Sequence, residues 1–541
     1  MKCTLTALLG LMAPVSAYAA EPVLTHFYPS AVQRGTTVSV SLSGKFDPWP
    51  CRIWTEDSGI EFKPGKEAGS FDVTVPASTR PGPHLVRAFN DEGASAPVSL
   101  LVETADQTME KEPNDDPRTP QRIETPTAAI NGRLDKSGDI DGYQLSVQKG
   151  QTLVAKVEAN LLASEADMML RITDEAGHVL VFNHDHTSMD PFIAFTAPQD
   201  GRYTVQAMGH KYPASSELQF TGGPGCPYRL QLSTGEVIRN TWPLAIQRGT
   251  RTQLTLEGWN LASRPMELES SPPYPFPVVE SEVPQFLAAA DPQVLVIACG
   301  VSGRLESPGD QDRFNFSSAK DAAWRFHLAG PTRGSIIDPL LRILDPDGKE
   351  IAGSDDEAGF SEAELTWKAP ADGSYSAVVS DRTQQGGPEY FYHLAITQPT
   401  PSVLGFSTVH SVKVDAGKSA GIKVTVSPAN GWQKKLKLAA KNLPPGVSAP
   451  EQDVPDAGGE MNVQMTAGPH AARTTQPFNL VMREVEGGTE HEVQFSMVTA
   501  GENNGVPQGY QKLLINTTSR LWLTVIPTPP LPPLVPGVAP Q

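Results

Sequence analysis

Along most of the chain, apolar and polar residues alternate in short runs, as in "QRGTTVSVSLSG" (Gln33 to Gly44) and "GKSAGIKVTVSP" (Gly417 to Pro428). A period of two places one side-chain row on a core and the other in water, the mark of a half-buried strand. Glycine, proline and aspartate punctuate the runs where turns are needed. No long stretch carries the 3.6-residue period of an amphipathic helix. The pattern therefore predicts an all-β chain of short strands. At 541 residues it is too long for one core, so roughly three to five domains are expected.

Internal repeats refine this picture. "NGRLDKSGDIDGYQLSV" (Asn131 to Val147) recurs as "SGRLESPGDQDRFNFSS" (Ser302 to Ser318), 171 residues on. The same offset relates "LRITDEAG" (Leu170 to Gly177) to "LRILDPDG" (Leu341 to Gly348), and "FTAPQDGRYTV" at Phe195 matches "WKAPADGSYSA" at Trp367. A second repeat precedes each copy: "QRGTTVSVSLSG" at Gln33 matches "QRGTRTQLTLEG" at Gln247. The chain reads as a duplicated pair, a small sandwich followed by a larger one, with a further small unit from about Pro401.

The larger units resemble bacterial pre-peptidase C-terminal domains. The residues that carry this are Glu112-Pro113-Asn114-Asp115, Gly138-Asp139-Ile140-Asp141, Asp174 to Gly177, and Ala197-Pro198 with Asp200-Gly201-Arg202-Tyr203. The smaller units resemble IPT/TIG-type immunoglobulin-like domains, and the last unit, with Leu443-Pro444-Pro445-Gly446-Val447, is similar to NEW3-like Ig domains. The arrangement as a whole resembles large exported proteins of planctomycete-type bacteria. It implies jelly-roll-like and Ig-like modules divided as a signal peptide at 1–19, an Ig-like domain at 20–103 and a large sandwich at 104–235. A shorter Ig-like domain at 236–295, a second large sandwich at 296–397, an Ig-like domain at 398–526 and a proline-rich tail at 527–541 complete it.

Composition adds the compartment. "MKCTLTALLGLMAPVSAYAA" has a basic Lys2, an apolar stretch from Leu5 to Val15, and the small-x-small site Ala17-Tyr18-Ala19, which reads as a secretory signal cleaved after Ala19. Its apolar run is too short to span a bilayer, and no second one follows. The net charge of −18 becomes −19 once Lys2 is removed. An acidic chain without basic clusters argues against nucleic acid and anionic membranes as ligands. Three cysteines follow the signal: Cys51, Cys226 and Cys299. Cys226 in a turn-like "GPGCPY" and Cys299 at the end of "VLVIAC" form the candidate disulfide; three buried thiols are the alternative.

The main chemical signal is "MEKEPNDDP" (Met109 to Pro117). In an extended segment Glu110, Glu112 and Asn114 project to one side, and Pro113 keeps Glu112 out of helical conformation. Asp139 and Asp141 stand at i and i+2 in "SGDIDGY". If the arm crosses that turn, Glu110, Glu112, Asn114, Asp115, Asp139 and Asp141 bring together the hard oxygens that calcium prefers. In the collagen-binding relatives of the family, the matching segment and turn acids bind calcium, so the resemblance implies Ca²⁺ in the first large module. An acidic linker beside an ordinary β-turn is the competing reading. The second copy keeps Asp310 and Asp312, but "VLVIACGVSG" stands in place of the acidic arm, so no such site is expected there.

Other motifs point elsewhere or nowhere. Counting Asp139 as the first position of an EF-hand puts Gly150 where a bidentate glutamate is required. "NHDHTSMD" (Asn183 to Asp190) carries two histidines around Asp185, a metal loop or an exposed polar loop. "GKSAG" at Gly417 fits a nucleophile-elbow pattern but opens an alternating strand rather than a strand-to-helix turn. Tyr143, Tyr203 and Tyr375 lie at positions of the module pattern; in the collagen-binding relatives tyrosines on one sheet face grip the ligand, whereas core packing is the other reading. The sequence thus predicts a non-catalytic exported protein of adhesion or scaffolding. Its partner is an extracellular protein or polysaccharide, and the alternatives are a binder of one specific polymer or an accessory subunit of a secreted hydrolase.

Overall fold

The computed structural model describes residues 20–528 apart from 187–188, 213–218, 263–264, 270–273, 275, 277, 290–291, 356–361 and 499–513. Residues 1–19, expected as a signal peptide, and residues 529–541 of the tail expected at 527–541 lie outside the described residues. Among those described, strands are the regular structure, with two 3₁₀ turns at Asn160–Leu162 and Pro331–Arg333 and no α-helix. No helix is long and apolar enough to cross a membrane.

The two large modules share one topology, strand for strand. In the first, one sheet runs Gln107–Met109, Thr127–Arg133, Pro227–Ser233, Thr152–Glu158, Phe192–Thr196. Its facing sheet runs Gln121–Arg122, Asp141–Val147, Gly201–Lys211, Ala166–Thr173, Val179–Asn183. In the second the corresponding orders are Gln285–Leu287, Cys299–Arg304, Phe391–Thr397, Ala323–Ala329, Ala363–Lys368 and Gln293–Val294, Gln311–Ser318, Gly373–Asp381, Pro339–Leu344, Glu350–Ser354. Alternate residues of each strand fill a single core between the sheets. Tyr143, Tyr203 and Tyr375 are all inside it. The sequence reading misplaced one element: the strand matching the acidic arm is Gln285–Leu287, and "VLVIACGVSG" runs on into the next strand, Cys299–Arg304. The link between those two strands is shorter in the second module, which displaced the sequence match.

Each large module is latched to the small domain before it in the same way. Asn131 accepts the Ala31 N–H (2.8 Å) and donates to the Ala31 carbonyl (3.2 Å). The guanidinium of Arg133 lies 4.4 Å from the centre of the Tyr28 ring. In the second pair Ser302 accepts the Leu244 N–H (3.0 Å), and Arg304 lies 4.7 Å from the Trp242 ring. Cation–aromatic stacking thus sets both domain junctions.

The expected Cys226–Cys299 disulfide is not formed. Cys226 belongs to the core of the first large module and Cys299 to that of the second, while Cys51 is in the first small domain. All three are free, buried thiols, each pushed up to about 11 by burial, which suppresses the reactive thiolate.

The last domain folds back onto the first. Trp522, 1% exposed, points away from its own core and packs on Trp54 (5.9 Å) and Phe89 (5.1 Å). Arg87, fully buried beneath it, donates to the carbonyls of Ser95 (2.9 Å) and Arg520 (3.1 Å) and to His410 Nδ1 (3.1 Å). Burial, then the Arg87 charge, push His410 down to about 4, so at neutral pH its ring is uncharged and Nδ1 can accept. Truncating Trp522 to alanine removes a buried indole, at a cost of about 3–5 kcal/mol. In calorimetry of the full chain, Trp522→Ala is expected to split a transition shared by the first and last domains into two; an unchanged trace would contradict the docking.

Candidate metal centre

The arm enters the first large module as a parallel edge strand. Gln107–Met109 pairs with Ala129 to Asn131, and Glu110 extends the ladder by donating its N–H to the Asn131 carbonyl (3.0 Å). Beyond it the chain leaves the sheet and crosses the "SGDIDGY" turn. There the Gly142 N–H donates to the Asn114 carbonyl (3.3 Å). A side chain at Gly142 would meet that oxygen at 3.0 Å and the Pro120 Cβ at 3.3 Å, so a glycine lets the arm lie this close. The matching residue of the second module is Arg313.

The crossing gathers one ligand atom each from Glu112, Asp115, Asp139 and Asp141 within 4.8 Å of one another. Two oxygens bound to a single ion at 2.3–2.6 Å are at most about 5 Å apart, so this spread suits one cation. Asp139 and Asp141 are fully buried, as is Asn114 at 1% exposure.

A common division of labour holds the acids. One Asp139 oxygen accepts the Asp135 N–H, and one Asp141 oxygen accepts the Tyr228 hydroxyl (2.5 Å), itself 2.7 Å from the Tyr143 hydroxyl. One Asp115 oxygen accepts from Lys136 Nζ (2.7 Å). The Oδ1 atoms of Asn114, Asp115, Asp139 and Asp141 are buried and accept no N–H from the described residues; Asp139 instead faces Asp115, and Asp141 faces Glu110, carboxyl against carboxyl, with Lys136 Nζ 3.5 Å from Asp139 Oδ1. Leaving buried polar atoms unpaired costs roughly 1–3 kcal/mol each. A set of hard oxygens with no nitrogen or sulfur donor matches a calcium-class cation.

Glu110 takes a different place from the one expected. Its Oε2 accepts the Arg133 N–H (2.7 Å) and its Oε1 accepts from the Asn114 amide (3.3 Å), so it positions the arm. Three further contributors escaped the sequence reading: Tyr228, Lys136 and Gly142. Only Gly142 left a trace, in its replacement by Arg313 between the aligned repeats.

Among the described residues the second module lacks the constellation. Asp310 spends both oxygens on backbone, accepting the Glu306 (2.7 Å) and Gln311 (2.9 Å) N–H groups. Asp312 accepts the Tyr392 hydroxyl, and the arm strand Gln285–Leu287 bears no acid. The anchoring half of the design is therefore shared, and among the described residues the crowded acids are those of the first module.

Electrostatics follow from crowding. Burial, then the adjacent Glu110 carboxylate, push Asp141 up to about 11; burial and Asp115 raise Asp139; the Lys136 ammonium lowers Asp115. Without a cation, Asp141 holds a proton at neutral pH.

No family model matches the chain, and no curated protein matches it. Solved structures give distant likenesses. The pre-peptidase C-terminal domain of a Bacillus anthracis collagenase is 16% identical, over 20% of this chain and 97% of that one, with a TM-score of 0.17. The g-type lysozyme inhibitor PliG of Aeromonas hydrophila is 15% identical over 24% of this chain and 98% of that one, with a TM-score of 0.16. The surface-layer protein SbsC, domains 1–6, is 10% identical over 95% of this chain and 55% of that one, with a TM-score of 0.15. Likenesses this distant assign neither a family nor an activity.

Burial makes folded Asp141 bind a proton more tightly than the unfolded chain does. Its folded value lies far above the roughly 3.9 of an unfolded aspartate, so its contribution to stability is complete below about pH 4 and declines as pH rises. In chelator, the melting temperature of the first large module should fall between pH 4 and pH 8, and Asp141→Asn should flatten that slope. A wild-type melting curve that does not move over this interval would contradict the buried charge.

Proposed function

We propose that the chain is an exported, non-catalytic protein of adhesion or extracellular scaffolding, whose first large module binds calcium through Glu112, Asn114, Asp115, Asp139 and Asp141. The observation that carries this reading is the crowding of buried carboxyl and amide oxygens, with few donors among them, where the arm crosses the turn. The resemblance of "EPND" and "GDID" to pre-peptidase C-terminal domains supports it, as does the signal-like N-terminal sequence. Calcium would be structural. It would supply the positive charge that lets Asp139 and Asp141 ionise, and it would hold the arm that leads from the first small domain. That arm ends beside Arg133, whose side chain stacks on Tyr28 across the domain junction. A bound ion would therefore fix the angle between the first two domains.

The polymer-binding alternative needs a surface other than Tyr143, Tyr203 and Tyr375, whose rings are buried. Retention of the full chain on insoluble collagen, chitin, cellulose or sulfated polysaccharide would shift the reading toward it, and co-purification with a hydrolase would shift it toward an accessory subunit.

Calcium at a hundred times its dissociation constant should stabilise the protein by about 2.7 kcal/mol, which raises melting by several degrees. Glu112→Ala and Asp139→Asn should abolish the gain. No shift in wild type, or an equal shift in both variants, would refute the site. Lys136→Met removes a positive charge beside the ligands; relief of about 1 kcal/mol of repulsion makes calcium bind about fivefold tighter, measurable by titration calorimetry.

A further inference from the structure

A second group of ligating side chains stands at the far end of the same module. Asp167 is on strand Ala166–Thr173, and His184 and Asp185 follow the strand Val179–Asn183 that pairs with it. One donor atom from each lies within 4.8 Å of the others. His184 Nε2 is 3.2 Å from Asp167 Oδ2, and His184 Nδ1 is 3.8 Å from Asp185 Oδ2. Asp167 Oδ1 is buried and lacks a hydrogen-bond partner among the described residues, while Asp167 Oδ2 faces His184 Nε2. His210 sits directly opposite Asp167 across the strand pair, on the same sheet face.

The surrounding loop is built to hold these donors. Asn183 donates to the Asp185 carbonyl (2.9 Å) and accepts the Phe192 N–H (2.9 Å). Asp190 accepts the N–H groups of Ala159 and Asn160, both at 3.1 Å. The second module puts a different solution at the same place. There Asp355 follows the strand Glu350–Ser354 and pairs with Arg382 at 3.0 Å. Arginine offers no lone pair to a metal. An arginine thus supplies the counter-charge in the second module, where the first presents imidazole and carboxylate donors.

We propose that Asp167, His184 and Asp185 form a site for a divalent transition metal of the zinc class, separate from the acidic cluster. An imidazole nitrogen favours this class over calcium, and His184 Nε2 and Asp167 Oδ2, 3.2 Å apart, are close enough to share one ion. Its location gives the metal a structural consequence. From the same loop, His186 stacks on Phe192 (4.9 Å), and Phe192 packs on Trp259 of the next small domain (4.9 Å). Arg239 lies 5.2 Å from the Trp259 ring and 4.7 Å from Phe391 of the second large module. The metal would stand two residues from His186, at the meeting point of three domains.

The test uses the full chain without an affinity tag, in saturating Ca²⁺ so that the acidic cluster is filled. Co²⁺ is titrated and followed by its visible bands, then displaced with Zn²⁺. One equivalent is expected, weakened at least tenfold by His184→Ala and by Asp167→Asn and unchanged by Asp139→Asn. Absence of Co²⁺ and Zn²⁺ binding, or binding that His184→Ala leaves intact, overturns the proposal. X-ray absorption at the zinc edge of the wild-type chain is independent of any variant's folding: imidazole scattering supports the site, and an oxygen-only shell overturns it.

Discussion

Buried carboxylates need a counter-charge, and the first large module is organised around that requirement. Asp139 and Asp141 are fully buried beside Asp115 and Glu110. The protein meets part of the need with single hydrogen bonds from Asp135, Tyr228 and Lys136. What remains is a set of oxygens aimed at one point. Proton or cation must complete it, since isolated charge in a low-dielectric interior is too costly to persist. The arm, the turn and the Arg133 junction all converge on that spot.

Comparison of the two large modules separates scaffold from function. Both keep the strand order, the turn, a tyrosine on the second turn acid and a cation–aromatic latch to the preceding domain. The second module closes its turn with backbone donors to Asp310 and replaces a histidine-bearing loop end with the Asp355–Arg382 pair. The first module crowds potential ligands together in two places, and each place lies next to a domain junction.

The junctions give the chain its larger form. Repeated latches tie each small domain to the sandwich that follows it, while Trp522 and Arg87 tie the last domain back to the first. Arg87 is costly to bury, and its hydrogen bonds to carbonyls of both domains offset part of that cost only while the two stay docked.

Period-two patterning was enough to read the all-β class, because alternation follows directly from the pleat. Repeated segments were enough to pair the two large modules, and the spacing of Glu112, Asn114, Asp139 and Asp141 marked one site, since i and i+2 side chains share a face. Only the tertiary structure decided which oxygens are free, because each acid's anchoring partner comes from elsewhere: Tyr228 stands 87 residues from Asp141. The same limit hid the true arm of the second module, the separation of Cys226 from Cys299 into different cores, and the approach of Asp167 to His184. A period fixes the face a residue occupies. What lies across from it is set by packing between distant segments, which local pattern does not encode.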